Sequence, residues 1–364
     1  MIPYLLLMIA IPSLSSVIQP KKSYRRKLLY TVIIFFAAGL LAAMRDVSVG
    51  ADTRQYWDAY TEIGRSSFEG LSSFRYEYGY TLMCWLLNRV SASPQLLLAV
   101  TSFFPIACAA ILVIRFSSDA ALSAFLFIGM NYYAMYMTAL RQAMAVGFVI
   151  IALLCWLDKK YPLAVVFSIV AMQFHQTALL AIVLYPLILR RYPKHGYTCY
   201  VLIAAVAFIL SNNLTVLITN LLGKSQFYDP AHSGSNYFGA LIQLAFYLVI
   251  ASLTINYLYI IRKGSLWDKG SFQEKKFNLY ANALMLSVLF YALGVKVEVL
   301  SRLAMYFNIF TILSLPESLA APKAREGAIS RILVVAIVLT YWLVIAIYRP
   351  EWHGVVPYAI FTTR

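Results

Sequence analysis

The stretch AALSAFLFIGMNYYAMYMTALRQAMAVGFVIIALLCWL, residues 120–157, contains one charged residue, Arg141, and decides the fold class. As a single α-helix it would reach about 57 Å, which is nearly twice the ~30 Å hydrocarbon core of a bilayer. The stretch must therefore turn. Because Arg141 is its only charged residue, we expect the turn close to Arg141. It predicts two membrane-spanning helices joined near that residue.

The remainder of the chain has the same character. Of its 364 residues, 62% are hydrophobic and 12% are charged, whereas soluble domains carry about 25% charged residues. No low-complexity linker or clear internal repeat separates the apolar runs. The sequence thus predicts an all-α, polytopic integral membrane protein, with residues 1–364 forming a single membrane domain.

The net charge of +15 is concentrated in short loops between the apolar runs. In a soluble protein this charge would suggest nucleic acid, but basic loops of membrane proteins mark the cytoplasmic side, so no nucleic-acid partner is predicted. Placing the five basic clusters on that side predicts about twelve transmembrane helices with both termini outward. The clusters are residues 21–27, 159–160, 190–194, 262–276 and 323–325; the spans are 2–18, 28–44, 94–114, 119–137, 140–157, 161–173, 176–189, 197–214, 238–261, 277–294, 302–320 and 328–348.

Residues 76–92 look apolar but do not fit as a further span. Counting them as a crossing would reverse the side of every later loop, and they include Glu77, Asn88 and Arg89. An amphipathic helix lying at the outer interface fits both facts better. The stretch 45–93 then forms one long outer loop, and such loops are functional candidates.

This topology gathers the remaining ionisable residues on the outer side, where costly charges tend to mark substrate paths. Structural explanations compete with functional ones. Arg45 could anchor a helix end, His175 could bond between helices, and Arg302 could pair with Glu298 at i, i+4. The gathered residues are Arg45, Asp52, Arg54, Glu62, Glu77, Arg141, His175, Lys296, Glu298, Arg302, Arg349, Glu351 and His353.

These residue types suit the chemistry of a lipid-linked glycan. Arginines beneath the outer leaflet can bind a diphosphate through bidentate guanidinium contacts, and a carboxylate beside them can accept a proton from a hydroxyl nucleophile. Aromatic-rich interfacial segments suit sugar rings and a polyprenyl tail. The sequence has no P-loop, no dinucleotide fingerprint, no HExxH and no DxD pair, so we predict no cofactor and no metal.

Several motifs resemble those of one membrane-protein family. The string MRDVSVGADTRQY (residues 44–56) resembles the R…VGxDTxxY signature of the EpsG-like proteins, relatives of the Wzy polymerases of bacterial O-antigen, capsule and exopolysaccharide. Further pieces match in the same order along most of the chain. They are EYGY (77–80), LRQAMA (140–145), FHQTA (174–178), SRLAMYF (301–307) and VVPY (355–358).

The resemblance implies a multi-pass glycosyltransferase of the bacterial inner membrane, with a GT-C-like fold and an active site facing the periplasm or exterior. Such an enzyme joins undecaprenyl-diphosphate-linked repeat units, which serve as donor and acceptor, in a reaction expected to be inverting and metal-independent. The bilayer and a chain-length regulator are the further partners that it suggests.

Site roles follow by position in the matched motifs. The resemblance implies Arg45, Arg141 and Arg302 as diphosphate ligands and Asp52 as the first choice for the catalytic base. Glu77 and His175 are the alternatives, and because arginines lower the pKa of a nearby carboxylate, a base further from them than Asp52 is favoured. Arg54 is included for its proximity alone. The substrate-binding candidates are Arg54, Tyr56, Tyr80, Gln142, Glu298 and Tyr306.

Two other functions compete with a polymerase. An O-antigen ligase would carry a much longer late outer loop than residues 215–236 or 295–301 provide. A flippase or transporter would have charges through the bilayer midplane and inverted repeats, whereas the charge here gathers at one face. The sequence therefore favours a polymerase.

Overall fold

The computed structural model describes residues 1–210, 237–264, 271–295, 298–320 and 324–362, together with residues 213, 216, 217 and 220. These residues are largely α-helical, and the one β-type pairing among them is an isolated antiparallel bridge between Arg45 and Ile360. The predicted all-α class is therefore confirmed. Lys296 and most of the predicted loop 215–236 lie outside the described residues.

The described helices follow one another along nearly the whole chain. They are α1 (Ile2–Ile18), α2 (Tyr24–Ala43), α3 (Thr53–Arg65), α4 (Tyr78–Val90), α5 (Gln95–Phe116), α6 (Ala120–Gly129), α7 (Tyr132–Thr138), α8 (Leu140–Leu157), α9 (Tyr161–Phe174), α10 (Ala178–Ile188), α11 (Lys194–Ile209), α12 (Tyr237–Gly264), α13 (Phe272–Gly294), α14 (Glu298–Ser301), α15 (Met305–Asn308), α16 (Thr311–Ser318) and α17 (Ala324–Tyr348). Short 3₁₀ helices cover Glu69–Ser73, Arg302–Ala304 and Pro350–Trp352.

Six of these helices are long and apolar enough to cross a membrane: α2, α5, α8, and the central parts of α12, α13 and α17. Helices α6 and α7 bend by 52° at their junction and form a broken span or a re-entrant loop. Helices α1, α9, α10 and α11 are apolar but shorter. The predicted span 302–320 is divided among a 3₁₀ turn, α15 and α16. Twelve spans are not confirmed, and that number stays a prediction, as does the GT-C-like fold.

The long apolar stretch breaks where its single charge predicted. Helix α7 ends at Thr138 and α8 begins at Leu140, so Arg141 lies in the first turn of α8. A second break at Asn131, whose φ of 63° is left-handed, divides the predicted span 119–137. Asparagine tolerates this conformation better than most residues.

The chain forms two compact units, Met1–Ile182 with Leu319–Arg364, and Val183–Ser318. Two such units can belong to one membrane domain, so the single-domain organisation stays a prediction. In the first unit, α2 packs on α5, α5 on α8, and α8 on α9. Gly147 allows the close approach of α8 to α5, because a Cβ there would lie 2.6 Å from the Phe104 ring.

Ion pairs of the first unit lie at both ends of α8 and at the start of α6. Arg141 lies at its beginning, whereas Asp158, directly after its end, is ion-paired with Arg115. The carboxylate of Asp119 contacts Lys21 at 2.7 Å and Arg331 at 3.2 Å, which joins three loops or helix ends that were predicted to be cytoplasmic. These contacts agree with the predicted grouping of the basic loops; which side of the membrane they face stays a prediction.

The C-terminal segment returns to the loop that carries the VGADT motif. The Asp46 N–H donates to the Ala359 carbonyl at 2.9 Å, and the Phe361 N–H donates to the Met44 carbonyl at 2.8 Å. Further along, the Gly50 N–H donates to the Gly354 carbonyl at 2.7 Å. Two motifs from opposite ends of the sequence therefore form one structural feature.

The second unit is centred on α13, nearly all of whose residues are buried. Helices α11, α12 and α16 pack against it. The Asn282 side-chain amide donates to the carbonyls of Leu187, Ile188 and Arg190 at 3.2, 3.0 and 2.7 Å. Since buried polar groups need such partners, Asn282 fixes α13 against the end of α10.

Candidate active site

Glu77 lies at the centre of a charged cluster in the first unit. One of its carboxylate oxygens is ion-paired with Arg141, 64 residues further along the chain. The other lies 3.3 Å from Nδ1 of His175 and accepts the backbone N–H of Gln176 at 3.3 Å. The structure therefore brings three of the sequence-predicted site residues into contact.

Three helix ends position this cluster. Glu77 directly precedes α4, Arg141 lies in the first turn of α8, and His175 directly follows α9. Glu77 is the best shielded, with a side chain 7% exposed, while the Arg141 and His175 side chains are each 20% exposed. Part of the Arg141 side chain and part of the His175 side chain are therefore accessible.

The surroundings of Glu77 determine its charge. Burial raises its pKa, but the contact with His175 and the positive charge of Arg141 outweigh burial and lower the pKa to about 2. Glu77 is therefore ionised near neutral pH and is a weak proton acceptor. The pKa lowering that the sequence suggested for a carboxylate among arginines is found here at Glu77.

Gly79 allows the two helices of this cluster to meet. A Cβ at position 79 would lie 2.6 Å from the Cβ of Gln173 and 2.9 Å from its carbonyl oxygen. Any larger side chain would therefore push α4 away from α9. The glycine of the EYGY motif thus permits Glu77 to reach His175.

Three tyrosines surround the Arg141 side chain. The ring centroids of Tyr56, Tyr76 and Tyr80 lie 5.5–6.4 Å apart, and the guanidinium lies over Tyr76 at 4.9 Å and over Tyr56 at 6.0 Å. Aromatic faces attract a cation in this geometry. Tyr80, predicted to bind substrate, is fully buried and packs within the cluster.

Tyr76 is a component that sequence reasoning missed, although it directly precedes the EYGY motif. Helix α3 was missed as well. Its buried residues Thr53, Tyr56, Tyr60 and Ile63 recur at the three- and four-residue spacing of a helical face. That spacing could have identified the helix and placed Tyr56 toward the interior.

Asp52 occupies the position before α3 and is half-buried. Burial raises the pKa of Tyr56, the Arg141 charge opposes this, and the Asp52 carboxylate raises the pKa further. Asp52 is thus close enough to act electrostatically on the cluster. Its neighbour Arg54 is exposed.

Arg45 has different surroundings from Arg141. It is 0% exposed, and its guanidinium donates to the Ala42 carbonyl at 2.5 Å, the Ser102 hydroxyl at 2.9 Å and the Met137 carbonyl at 3.1 Å. In this conformation its guanidinium has no face open to a ligand. Its predicted role as a diphosphate ligand is not tested by these contacts alone and stays a prediction.

The remaining candidates have other locations. Gln142 is 4% exposed and lies beside Arg141 in α8. Glu298, Arg302 and Tyr306 belong to the second unit, where Glu298 begins α14, Arg302 is exposed and Tyr306 is 2% exposed. Their predicted roles stay predictions.

An apolar groove of about 530 Å³ runs between α4 and α9. One end of the groove adjoins the charged cluster, because Tyr78, the first residue of α4, follows Glu77 and Phe174, the last residue of α9, precedes His175. The lining is almost wholly hydrocarbon. It comprises Tyr78, Gly79, Leu82, Met83, Leu86, Leu87, Val170, Gln173 and Phe174.

Within the described part of the chain, no group of three or more histidine, cysteine, aspartate or glutamate side chains is placed to hold a metal ion. Metal independence stays a prediction. Helix α4 has 13 residues and would extend about 20 Å, which is too short to cross a bilayer. Its predicted position at the membrane interface also stays a prediction.

Fold and site together define a polytopic helical membrane protein with a half-buried glutamate–arginine–histidine cluster where three of its helices begin or end. A family model described as the EpsG family matches residues 27–360. The chain therefore belongs to the EpsG family, as its motifs suggested, and membership supports a polysaccharide polymerase-type function. No curated protein and no solved structure matches the chain.

Proposed function

We propose that this chain is a glycosyltransferase that polymerises undecaprenyl-diphosphate-linked repeat units at the outer face of a bacterial inner membrane. The observation that carries the proposal is the Glu77–Arg141–His175 cluster, which lies directly beside a hydrocarbon-lined groove. A lipid diphosphate needs a cation for its head and an apolar surface for its chain. The site offers both within one unit of the protein.

Arg141 would bind the donor diphosphate. Its side chain is partly exposed, and its charge is already balanced by one carboxylate, so an incoming diphosphate can compete with Glu77 for the guanidinium. The polyprenyl chain would lie in the groove between α4 and α9. Arg302 is proposed as a further phosphate ligand from the family resemblance alone.

His175 is the proposed proton acceptor, and Glu77 is the residue that orients it. Since Nδ1 of His175 faces Glu77, a neutral imidazole carries its proton on Nδ1 and presents Nε2 as the acceptor. Glu77 itself is too weakly basic near neutral pH, because its pKa is about 2. Asp52, the first choice from the sequence, is the other candidate for the base, and the experiment below separates the two.

In the proposed step, a hydroxyl of the acceptor sugar attacks the anomeric carbon of the donor glycan. The new glycosidic C–O bond forms as the bond from that carbon to the diphosphate oxygen breaks. The hydroxyl proton passes to His175, and the undecaprenyl diphosphate leaves with its charge stabilised by Arg141. A single displacement of this kind inverts the anomeric configuration and requires no nucleotide.

Reconstitution of the purified chain with a lipid-linked repeat unit tests the proposal. Longer glycans on the lipid would support a polymerase, whereas transfer to a lipid A core would identify a ligase. Movement of the lipid across the bilayer without a new bond would contradict both enzymes and identify a flippase.

Variants in the same assay identify the base. We expect His175→Ala to reduce chain extension by roughly 100-fold or more, in the range of general-base losses. The matched control is His195→Ala, because His195 is an exposed histidine of α11 in the second unit. Loss in Asp52→Asn with full activity in His175→Ala would instead make Asp52 the base.

A further inference from the structure

A second cavity lies in the first unit, at the end of the helices that carries the basic loops. It has a volume of about 580 Å³ and is bounded by α1, the loop after it, the beginning of α6 and the beginning of α17. Lys21, Lys22, Asp119 and Arg331 lie among its lining residues. The proposed polymerase reaction uses none of them.

The described residues that line this cavity carry a net positive charge. Among the described residues that line it, Asp119 is the only carboxylate, and Lys21, Lys22 and Arg331 are the cations. The buried Asp119 carboxylate lies 2.7 Å from Nζ of Lys21 and 3.2 Å from a guanidinium nitrogen of Arg331, so it holds both cations in place. Lys22 is exposed at the same cavity. An anion would be attracted to this arrangement.

Part of the lining of the cavity is apolar. Phe125 of α6 and Val335 of α17 contribute to it. Large apolar residues on the outside of the two flanking helices are exposed, with Val17 of α1 at 76% and Ile332 of α17 at 68%. In a membrane-spanning bundle such residues face lipid, so the cavity lies between helices that contact the acyl chains of the bilayer.

We propose that this cavity binds an anionic phospholipid of the membrane leaflet that its basic loops are predicted to face. Lys21, Lys22 and Arg331 contact the phosphate, and an acyl chain packs against Phe125 and Val335. Basic pockets between transmembrane helices on the cytoplasmic side bind anionic lipid headgroups by this combination of charge and apolar surface. The proposal is independent of the polymerase reaction.

The test uses the purified full chain in a neutral detergent, with phosphatidylglycerol and phosphatidylcholine of identical acyl chains. Native mass spectrometry measures how much of each lipid the protein retains. Thermal unfolding gives the midpoint temperature of unfolding with each lipid. We expect preferential retention of phosphatidylglycerol and a higher midpoint with it. Equal retention of both lipids would overturn the proposal. Glycerol phosphate, which has no acyl chains, is the second comparison. If it raises the midpoint as much as phosphatidylglycerol does, the site binds an anion and not a lipid, and the proposal is overturned.

Matched charge variants locate the site. Lys22→Glu changes the charge of the cavity lining by two units without removing either partner of Asp119, and we expect roughly tenfold weaker retention of phosphatidylglycerol. The control is Arg25→Glu, which changes the net charge equally at an exposed position outside the lining. Equal losses in the two variants would mean a general surface effect and would contradict a specific site.

A variant with unchanged charge tests the acyl chain. Ala121 lines the cavity and is half-buried, so Ala121→Phe adds a ring at its wall. We expect weaker retention of phosphatidylglycerol at an unfolding midpoint that, without lipid, stays near that of the unmodified chain. Unchanged retention would exclude the acyl chain from this cavity and overturn the proposal.

Discussion

Arg45 and Arg141 are the same residue type, belong to the same unit and have opposite surroundings. Arg45 is 0% exposed and donates to two carbonyls and a hydroxyl, whereas Arg141 is partly exposed, pairs with Glu77 and lies over Tyr76. A guanidinium held by neutral acceptors in the interior stabilises the fold around it. A guanidinium that is ion-paired with a carboxylate beside an accessible space can exchange this partner for a phosphate.

Arg45 connects several parts of the first unit. Its backbone pairs with Ile360 of the C-terminal segment, and its side chain connects the end of α2 to Ser102 of α5 and to Met137 of α7. Arg45 thus fixes the start of the loop that leads to α3. The roles of both arginines as diphosphate ligands stay predictions, and the partial exposure of the Arg141 side chain favours Arg141.

The largest expected effect is that of Arg45→Met on stability. The substitution leaves the acceptors of Ala42, Ser102 and Met137 buried without their donor, and we expect the free energy of unfolding to fall by roughly 3–5 kcal/mol. Thermal unfolding in detergent measures the change. If Arg45→Met unfolds at the same temperature as the unmodified chain but no longer extends glycans, Arg45 acts as a substrate ligand and not through stability.

Arg141→Ala is expected to act on the reaction instead. Loss of one group that stabilises developing charge reduces the rate by about 10²–10³-fold. We expect a smaller fall in the unfolding midpoint than in Arg45→Met, because His175 still contacts the Glu77 carboxylate. Arg141→Lys should recover part of the rate, since lysine keeps the charge but lacks the bidentate fork.

The control is Arg115→Ala, which removes the exposed ion pair with Asp158 at the other end of α8 and should change stability by about 0–1 kcal/mol. Normal chain extension by Arg141→Ala would remove Arg141 from the site.

Glu77 gives the comparison a pH dependence. Its pKa is lowered from 4.5 to about 2 in the folded chain, so ionised Glu77 stabilises the fold above about pH 4.5, and this contribution is lost as the pH falls toward 2. Unfolding midpoints of the unmodified chain should therefore decline over that range more steeply than those of Glu77→Gln. Parallel pH profiles would show that the contacts with His175 and Arg141 do not lower the pKa of Glu77 in solution.

The smallest of these effects is expected for Gly79→Ala. The added Cβ would meet Gln173, so α4 must shift away from α9 by a fraction of an ångström, which separates Glu77 from His175. We expect chain extension to fall by roughly tenfold, within the sensitivity of reactions to small misplacements. Gly70→Ala is the control, since a Cβ at Gly70 would meet its nearest neighbour at an ordinary 3.5 Å. Equal activity of the two variants would show that the close approach of α4 to α9 is dispensable.

The residues that sequence reasoning placed well are those whose position depends on helix length. The apolar run 120–157 had to break near Arg141, and the predicted spans 161–173 and 176–189 leave a break that includes His175. Both breaks are found. Contacts between distant segments could not be predicted in this way. Neither Tyr76 beneath Arg141 nor the C-terminal segment along residues 44–51 follows from any local pattern.

The amino-acid sequence by itself determined the all-α membrane class, the helix ends that carry Arg141 and His175, and membership of the EpsG family. These follow from hydrophobic run lengths and from ordered motifs, which are properties of the chain read in order. Only the tertiary structure decided that Glu77 pairs with Arg141 and that Arg45 is enclosed. The role of a charged side chain depends on its burial and on the partners it meets, and packing brings those partners together from distant parts of the chain.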